Sequence, residues 1–250
     1  MVEGNLGPLE QFASERRQAV EAMEQDAALR EQSLQWMLAA DKYKYTYNFS
    51  WMGRPIIKYP ADMVIQQELM WQLKPDLIIE TGIAHGGSII FSASMMEMMG
   101  IEGEVVGVDI DIRSHNRELI QDHPVFDRIT MYEGSSIDVE IIAKVRKHAL
   151  GKSCVMIILD SLHTHDHVLA ELLAYSDLVT VDSYCILPDT FIEFFPSGYF
   201  ANDRPWDVGN NPHTAISEFL KDNQNFSIDK SLCAKAMITE TIDGYLKKIR

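Results

Sequence analysis

Apolar positions follow two different rhythms along this 250-residue chain. Over the first forty residues an apolar side chain recurs every three or four positions, at Leu9, Phe12, Val20, Met23, Ala27, Leu34 and Met37. Glu, Gln and Arg fill the other faces, so the spacing predicts an amphipathic helix or helix pair. Between residues 41 and 60 the character changes: Tyr43, Tyr45, Tyr47, Phe49 and Trp51 alternate with polar residues, punctuated by Pro55 and Pro60. That stretch fits either a short strand or an aromatic loop lying over a ligand. From residue 62 onward short apolar runs alternate with helical patterns. The reading is helix over 63–71, strand 77–79, a Gly-rich turn 81–87, helix from 88, strand 105–108, helix 116–121, strand 129–132, helix 139–150, strand 155–159, helix 168–173 and strand 178–181. Five strands separated by helices predict an α/β fold with a doubly wound, mostly parallel sheet, because parallel neighbours need a crossover helix.

The last quarter differs. Residues 188–212 are rich in aromatics, Pro, Gly and Asn and are long for a structureless connection, which suggests a functional segment. A helix over 214–220 precedes two strand-like stretches, 226–228 and 244–249, expected to form an antiparallel C-terminal edge on the sheet. Without repeats or low-complexity segments, the economical division is an N-terminal helical extension over 1–50 and one domain over 51–250.

Composition narrows the partners. Twenty-two Lys+Arg against 37 Asp+Glu give a net charge of −15, which opposes nucleic acid, where binding is driven by cations displacing counterions, and anionic lipid. No apolar run approaches the ~20 residues of a membrane span. Residues 1–9 are acidic rather than basic-then-apolar, unlike a signal peptide. Cys154, Cys185 and Cys233 are an odd count without close spacing, so reduced thiols and a cytoplasmic location are expected.

In an open parallel sheet ligands bind beyond the carboxyl ends of the strands, and the residues just after each predicted strand are the unusual ones. The first strand ends Glu80-Thr81-Gly82-Ile83-Ala84-His85-Gly86-Gly87-Ser88. Its glycines allow a tight turn and close ligand approach, and the next helix presents free N–H groups there. It matches neither the dinucleotide fingerprint nor the P-loop. The second strand ends with Asp109 and Ile110, 27 residues after Gly82, where a carboxylate accepts from ribose hydroxyls. The third ends in Ser135-Ser136, small polar residues suited to the rim of a heterocycle. Together these turns indicate an adenosyl ligand. After the fourth strand come Asp160, Ser161, His163, His165 and His167, and after the predicted fifth comes Asp182. Asp160 and Asp182 on adjacent turns would share a hard cation such as Mg²⁺. His163 is a candidate general base, whereas His165 reads as a surface residue and His167 as a turn hydrogen-bonding group.

The runs Glu80-x-Gly82-x-x-x-Gly86-Gly87-Ser88, Val108-Asp109-Ile110-Asp111, Asp160-Ser161-x-His163-x-x-x-His167-Val168 and Gly244-Tyr245-Leu246-Lys247, with Trp51-x-Gly53 and Lys58-x-Pro60-x-Asp62, resemble the cephalosporin hydroxylase family. The resemblance spans residue 51 to the C-terminus and implies the class I S-adenosylmethionine-dependent methyltransferase fold. By it, Glu80, Gly82, Ala84, Gly86 and Ser88 hold the methionine end of the cofactor, Asp109 and Ile110 the ribose end, and Ser135-Ser136 the adenine; Asp160 borders the cofactor. Asp160 and Asp182 fall where the family binds Mg²⁺. The family commonly carries Glu-Asp at the fifth strand end, where Val181-Asp182 is expected here, and that missing carboxylate counts against metal dependence.

The leading expectation is therefore methyl transfer to a hydroxyl of a small molecule or glycan, with His163 and Asp160 catalytic. The aromatic segments near 43–51 and 191–206 would wall the acceptor. The N-terminal helix would pack on the domain's flank or, alternatively, serve as an arm in a homo-oligomer. Two other readings compete. His163-Thr164-His165-Asp166-His167 resembles the H-x-H-x-D-H motif of dinuclear zinc hydrolases, but its spacing is one residue short and nitrogen ligands are too few. A non-catalytic adenosyl-binding or scaffolding subunit would keep cofactor binding without transfer. Hydroxylation lacks a 2-His-1-carboxylate constellation.

Overall fold

The computed structural model describes residues 7–250; the first six residues, on which the reading of the N-terminal leader partly rests, lie outside the described residues. The opening helical pattern is a helix pair. Helix α1 (Pro8–Gln25) has proline in its first turn, where a missing N–H leaves no bond unmade, and Glu10 reaches back to the Gly7 N–H at 3.0 Å. It buries none of its residues, and Leu9 and Phe12 stay exposed. Asp26 caps α2 (Ala27–Asp41) by accepting from the Leu29 N–H at 2.9 Å. Helix α2 sends Met37 into a small apolar cluster with Tyr59, Phe191, Ile192 and Phe195. The aromatic stretch that follows forms a 3₁₀ turn, Tyr45–Asn48, and a hairpin of β1 (Phe49–Trp51) and β2 (Arg54–Ile56).

The alternating region then runs α3 (Pro60–Leu73), β3 (Leu77–Thr81), α4 (Gly87–Met99), β4 (Glu104–Asp109), α5 (Ser114–Gln121), β5 (Ile129–Glu133), α6 (Val139–His148), β6 (Val155–Leu159), α7 (His165–Tyr175) and β7 (Tyr184–Ile186). The chain closes with α8 (Pro212–Asp222), β8 (Phe226–Ile228), α9 (Lys230–Ala236) and β9 (Tyr245–Lys248). The seven-stranded sheet has the order β5-β4-β3-β6-β7-β9-β8. Strands β3 to β7 are parallel, and β9 runs antiparallel between β7 and β8. Every residue of β3, β6 and β7 is buried, as expected for parallel strands covered on both faces. One apolar core lies on each side of the sheet. Chain order reverses at β3, whose neighbours are β4 and β6, so the crevice for a ligand opens at those three carboxyl ends. No described helix is long and apolar enough to cross a membrane.

One expectation needs correction. The run at 178–181 is not the fifth strand. Ser176–Leu178 forms a 3₁₀ turn closing α7, Val179 plugs the core, Thr180 bonds to Val155 at the start of β6, and Val181 is exposed. The strand comes after it, as β7. Asp182 therefore precedes β7 and sits at the amino ends of the strands, paired with Lys247 at 3.0 Å and largely exposed. The two C-terminal strands form the expected antiparallel edge, with the short helix α9 between them and β9 inserted between β7 and β8.

Candidate active site

The turn after β3 is shaped by what must approach it. Gly82 has φ +81°, and a Cβ there would stand 1.9 Å from the Asp160 carbonyl oxygen; only glycine lets the ends of β3 and β6 meet so closely. A Cβ at Gly87 would stand 2.1 Å from the Pro55 carbonyl, so the start of α4 packs against the hairpin. The buried Arg54 guanidinium donates to the His85 carbonyl at 2.6 and 3.0 Å and to Asn116 at 2.8 Å. It pins the turn from behind. Asp109, ending β4, accepts from the Ile83 and Ala84 N–H groups at 3.0 Å each. Glu80 lies beneath, with no exposure; Ser88 donates to its Oε1, while Oε2 has no partner. Burial pushes the Glu80 pKa up to about 7, against the opposing pull of Lys58 and the Ser88 hydrogen bond.

A second group of charges closes the floor. The Lys58 ammonium is 3.2 Å from Asp160 Oδ2 and 3.1 Å from Glu240 Oε1, with Lys58 only 4% exposed. Burial disfavours its charge, but Asp160, Glu240 and Glu80 together outweigh that and hold its pKa well above the ordinary lysine value. Asp62, in the first turn of α3, accepts from the Thr239 hydroxyl, from the Glu240 N–H at 2.9 Å and from the Tyr245 hydroxyl at 2.9 Å. The C-terminal loop that carries Glu240 is thereby tied to α3.

Above this floor His163 Nε2 meets Asp189 Oδ2 at 3.0 Å, and the edge of Trp206 stands across the imidazole with centroids 4.7 Å apart. Asp160, His163 and Asp189 each offer a donor atom within 4.8 Å of the others. Asp189 follows β7 in the chain sequence Ile186-Leu187-Pro188-Asp189, so Asp189, and not Asp182, occupies the carboxyl end of that strand. The cleft over these groups measures about 880 Å³ and is walled by Tyr47, Phe191, Tyr199, Phe200 and Trp206.

The profile of one family, rhamnosyl O-methyltransferase/CmcI, matches residues 43–249. The chain belongs to that family. A rhamnosyl O-methyltransferase of Mycobacterium leprae (strain TN) is 31% identical over 165 residues, which are 64% of this chain and 70% of that protein. The protein of the same name from Mycobacterium tuberculosis (strain ATCC 25618 / H37Rv) is 30% identical over 168 residues, 64% of this chain and 66% of its own length. Among solved structures, apo CmcI superposes with a TM-score of 0.57 at 20% identity, covering 82% of this chain and 77% of that one. CmcI with Mg and S-adenosylmethionine gives 0.56 at 21% identity, covering 82% and 78%. The fold is that of the class I methyltransferases, and the family is one of S-adenosylmethionine-dependent methyltransferases, in agreement with the sequence resemblance.

Within this methyltransferase fold the expected site residues divide. Gly82, Ala84, Ser88, Asp109, Asp160 and His163 line the cleft; Glu80 lies just under it, and Gly86 packs against Ile120. Ile110 is exposed, Ser135 is half-buried, and neither lines this cleft. Ser136 is buried, its hydroxyl 3.1 Å from His167 Nε2, which also lies 3.1 Å from the Ser161 hydroxyl. His165 reaches Thr214 and Glu218 on α8. The three histidines thus have separate partners, and only His163 joins a donor cluster, which removes the dinuclear zinc reading. Trp51 donates to Ser94 and packs on Phe91 rather than walling the cleft. Sequence reasoning missed Arg54, Lys58, Asp189 and Glu240 as site residues. Lys58 had been visible in its motif but without a charge to meet, and Asp189 was hidden by the misplaced fifth strand.

Proposed function

We propose that this methyltransferase uses S-adenosylmethionine to methylate a hydroxyl oxygen of a sugar, assisted by a divalent ion at Asp160 and Asp189. The observation that carries the reading is the His163–Asp189 pair on the cleft wall beside Asp160, a proton acceptor held by a carboxylate where the acceptor hydroxyl must lie. The names of the mycobacterial relatives support a sugar acceptor, and so does the aromatic wall, whose apolar faces suit the C–H faces of a pyranose.

The residues fit both groups. Glu80 keeps a buried oxygen without a donor, a place for the cofactor's ammonium. Asp109 already accepts three backbone N–H bonds, from Ile83, Ala84 and Asp111. With about four acceptor positions on a carboxylate, it keeps room for one ribose hydroxyl rather than two. Two carboxylate oxygens, from Asp160 and Asp189, suit Mg²⁺, which takes oxygen ligands and retains waters. When bound, the cofactor supplies a methyl group made electrophilic by its sulfonium. The chain's own work is alignment of the acceptor and management of its proton. With His163 Nε2–H donating to Asp189, Nδ1 is the free acceptor; the tautomer follows from this hydrogen bond. The acceptor O–H bond breaks with its proton passing to Nδ1, and the oxygen forms the new C–O bond to the methyl carbon, whose bond to sulfur would break with its electron pair returning to sulfur to leave a neutral thioether.

Replacing His163 with alanine is expected to lower turnover by ~10²–10⁴ and to leave cofactor affinity within about threefold, since the ring touches none of the groups assigned to the methionine end. Rapid-quench turnover with parallel calorimetry checks it. Joint loss of turnover and cofactor binding would assign His163 to the cofactor or to folding instead.

A further inference from the structure

The metal reading leaves one buried cation unused. Lys58 directly follows the hairpin, points its ammonium at the Asp160 Oδ2 from 3.2 Å and is anchored on its far side by Glu240 at 3.1 Å. A buried ion pair of this kind adds little stability over apolar packing, so its place on the cleft floor calls for a role. We propose that Lys58 is a resident counter-cation of the metal site, sharing Asp160 with the divalent ion and setting how tightly that ion binds. The inference rests on the reading of Asp160 and Asp189 as ligands.

The argument is one of charge. Two carboxylates and an imidazole face one another within 4.8 Å, but one carboxylate already carries an ammonium on one of its oxygens. Oδ1 of Asp160 and Oδ1 of Asp189 are the oxygens left unengaged for the ion, since Asp189 Oδ2 already meets His163. Glu240 engages the far side of the ammonium at 3.1 Å, which fixes Lys58 in place beside Asp160 rather than releasing it to solvent. A fixed positive charge a few ångströms from a dication repels it strongly in a weakly solvated site. Lys58 therefore keeps the ion exchangeable and leaves Asp160 partnered when the ion is gone. A residue that merely oriented Asp160 would act in the opposite direction, because removing it would loosen the ion.

The two roles are separated by sign. With Mn²⁺ as probe, binding to the full-length protein is read from the electron-spin resonance of free Mn²⁺, without cofactor. Lys58→Met is expected to bind Mn²⁺ at least about tenfold more tightly than wild type, and Lys58→Arg to stay within about threefold. Asp160→Asn is expected to lose the site. Unchanged or weaker binding by Lys58→Met overturns the proposal. Absence of Mn²⁺ binding in wild type and in Lys58→Met removes the metal site and this inference with it, whereas S-adenosylmethionine affinity on the same samples tests the methyltransferase reading separately. That affinity also reports a folded cleft, and Lys58→Gln, which still donates to Glu240, replaces Lys58→Met if the latter fails to fold.

Discussion

Glu80 concentrates the electrostatics of this cleft in one side chain. It is fully buried, one of its oxygens has no donor, and burial pushes its pKa up to about 7. An acid whose folded value is raised holds its proton longer in the native state, so near neutrality a substantial share of the empty protein carries neutral Glu80. Ionising it as pH rises through about 7 costs folding stability in the empty protein, and a bound ammonium recovers that cost. With Glu80 as the proposed partner of that ammonium, cofactor binding is expected to release a proton, and affinity to fall as pH drops below about 7, by up to about tenfold per unit. Calorimetry from about pH 7.5 to about pH 6 in buffers of different ionisation enthalpy measures both effects. Glu80→Gln should bind more weakly and lose this slope. A wild-type affinity flat across that range would take Glu80 away from the ammonium.

At the scale of elements, α3 and the C-terminal loop form one unit through Asp62. The carboxylate satisfies the Thr239 and Tyr245 hydroxyls and the Glu240 N–H in a site closed to water. Asp62→Ala strands all three donors and is expected to cost about 3 kcal/mol or more, and Tyr245→Phe about 1 kcal/mol. Urea midpoints at neutral pH decide it, and an unshifted midpoint for Asp62→Ala would break the link between α3 and Glu240. Elements were legible in the sequence wherever an apolar run was bounded by a turn and covered on both faces, as at β3 and β6. The run at 178–181 had the same composition but failed, because a single core residue, Val179, and a 3₁₀ turn need no more apolar residues than a short strand. That one displacement sent the second carboxylate to Asp182 instead of Asp189. The turn after β3 was readable because close approach at Gly82 demands glycine. Lys58 and Glu240 were not, since their pairing joins residues 182 positions apart.

At the scale of the whole molecule, the winding of the sheet brings the ends of β3, β4 and β6 to one crevice, and the hairpin, α2 and the 188–212 segment roof it. The net charge of −15 is spread mostly over the surface. Glu80, Asp109, Asp160 and Asp189 gather at that crevice, with Lys58 set among them, and are the acids proposed to meet a cationic cofactor, a ribose and a metal ion. Family membership and fold fix the class of chemistry, and the His163–Asp189 pair is the proposed means of taking the acceptor's proton. The most direct test is transfer of isotopically labelled methyl from S-adenosylmethionine to a panel of glycosides that includes rhamnosides, followed by mass spectrometry of the products. The account predicts one labelled methyl on a sugar oxygen, dependent on His163. Tight cofactor binding with no methylated sugar anywhere in the panel would contradict it and favour a non-catalytic adenosyl-binding subunit.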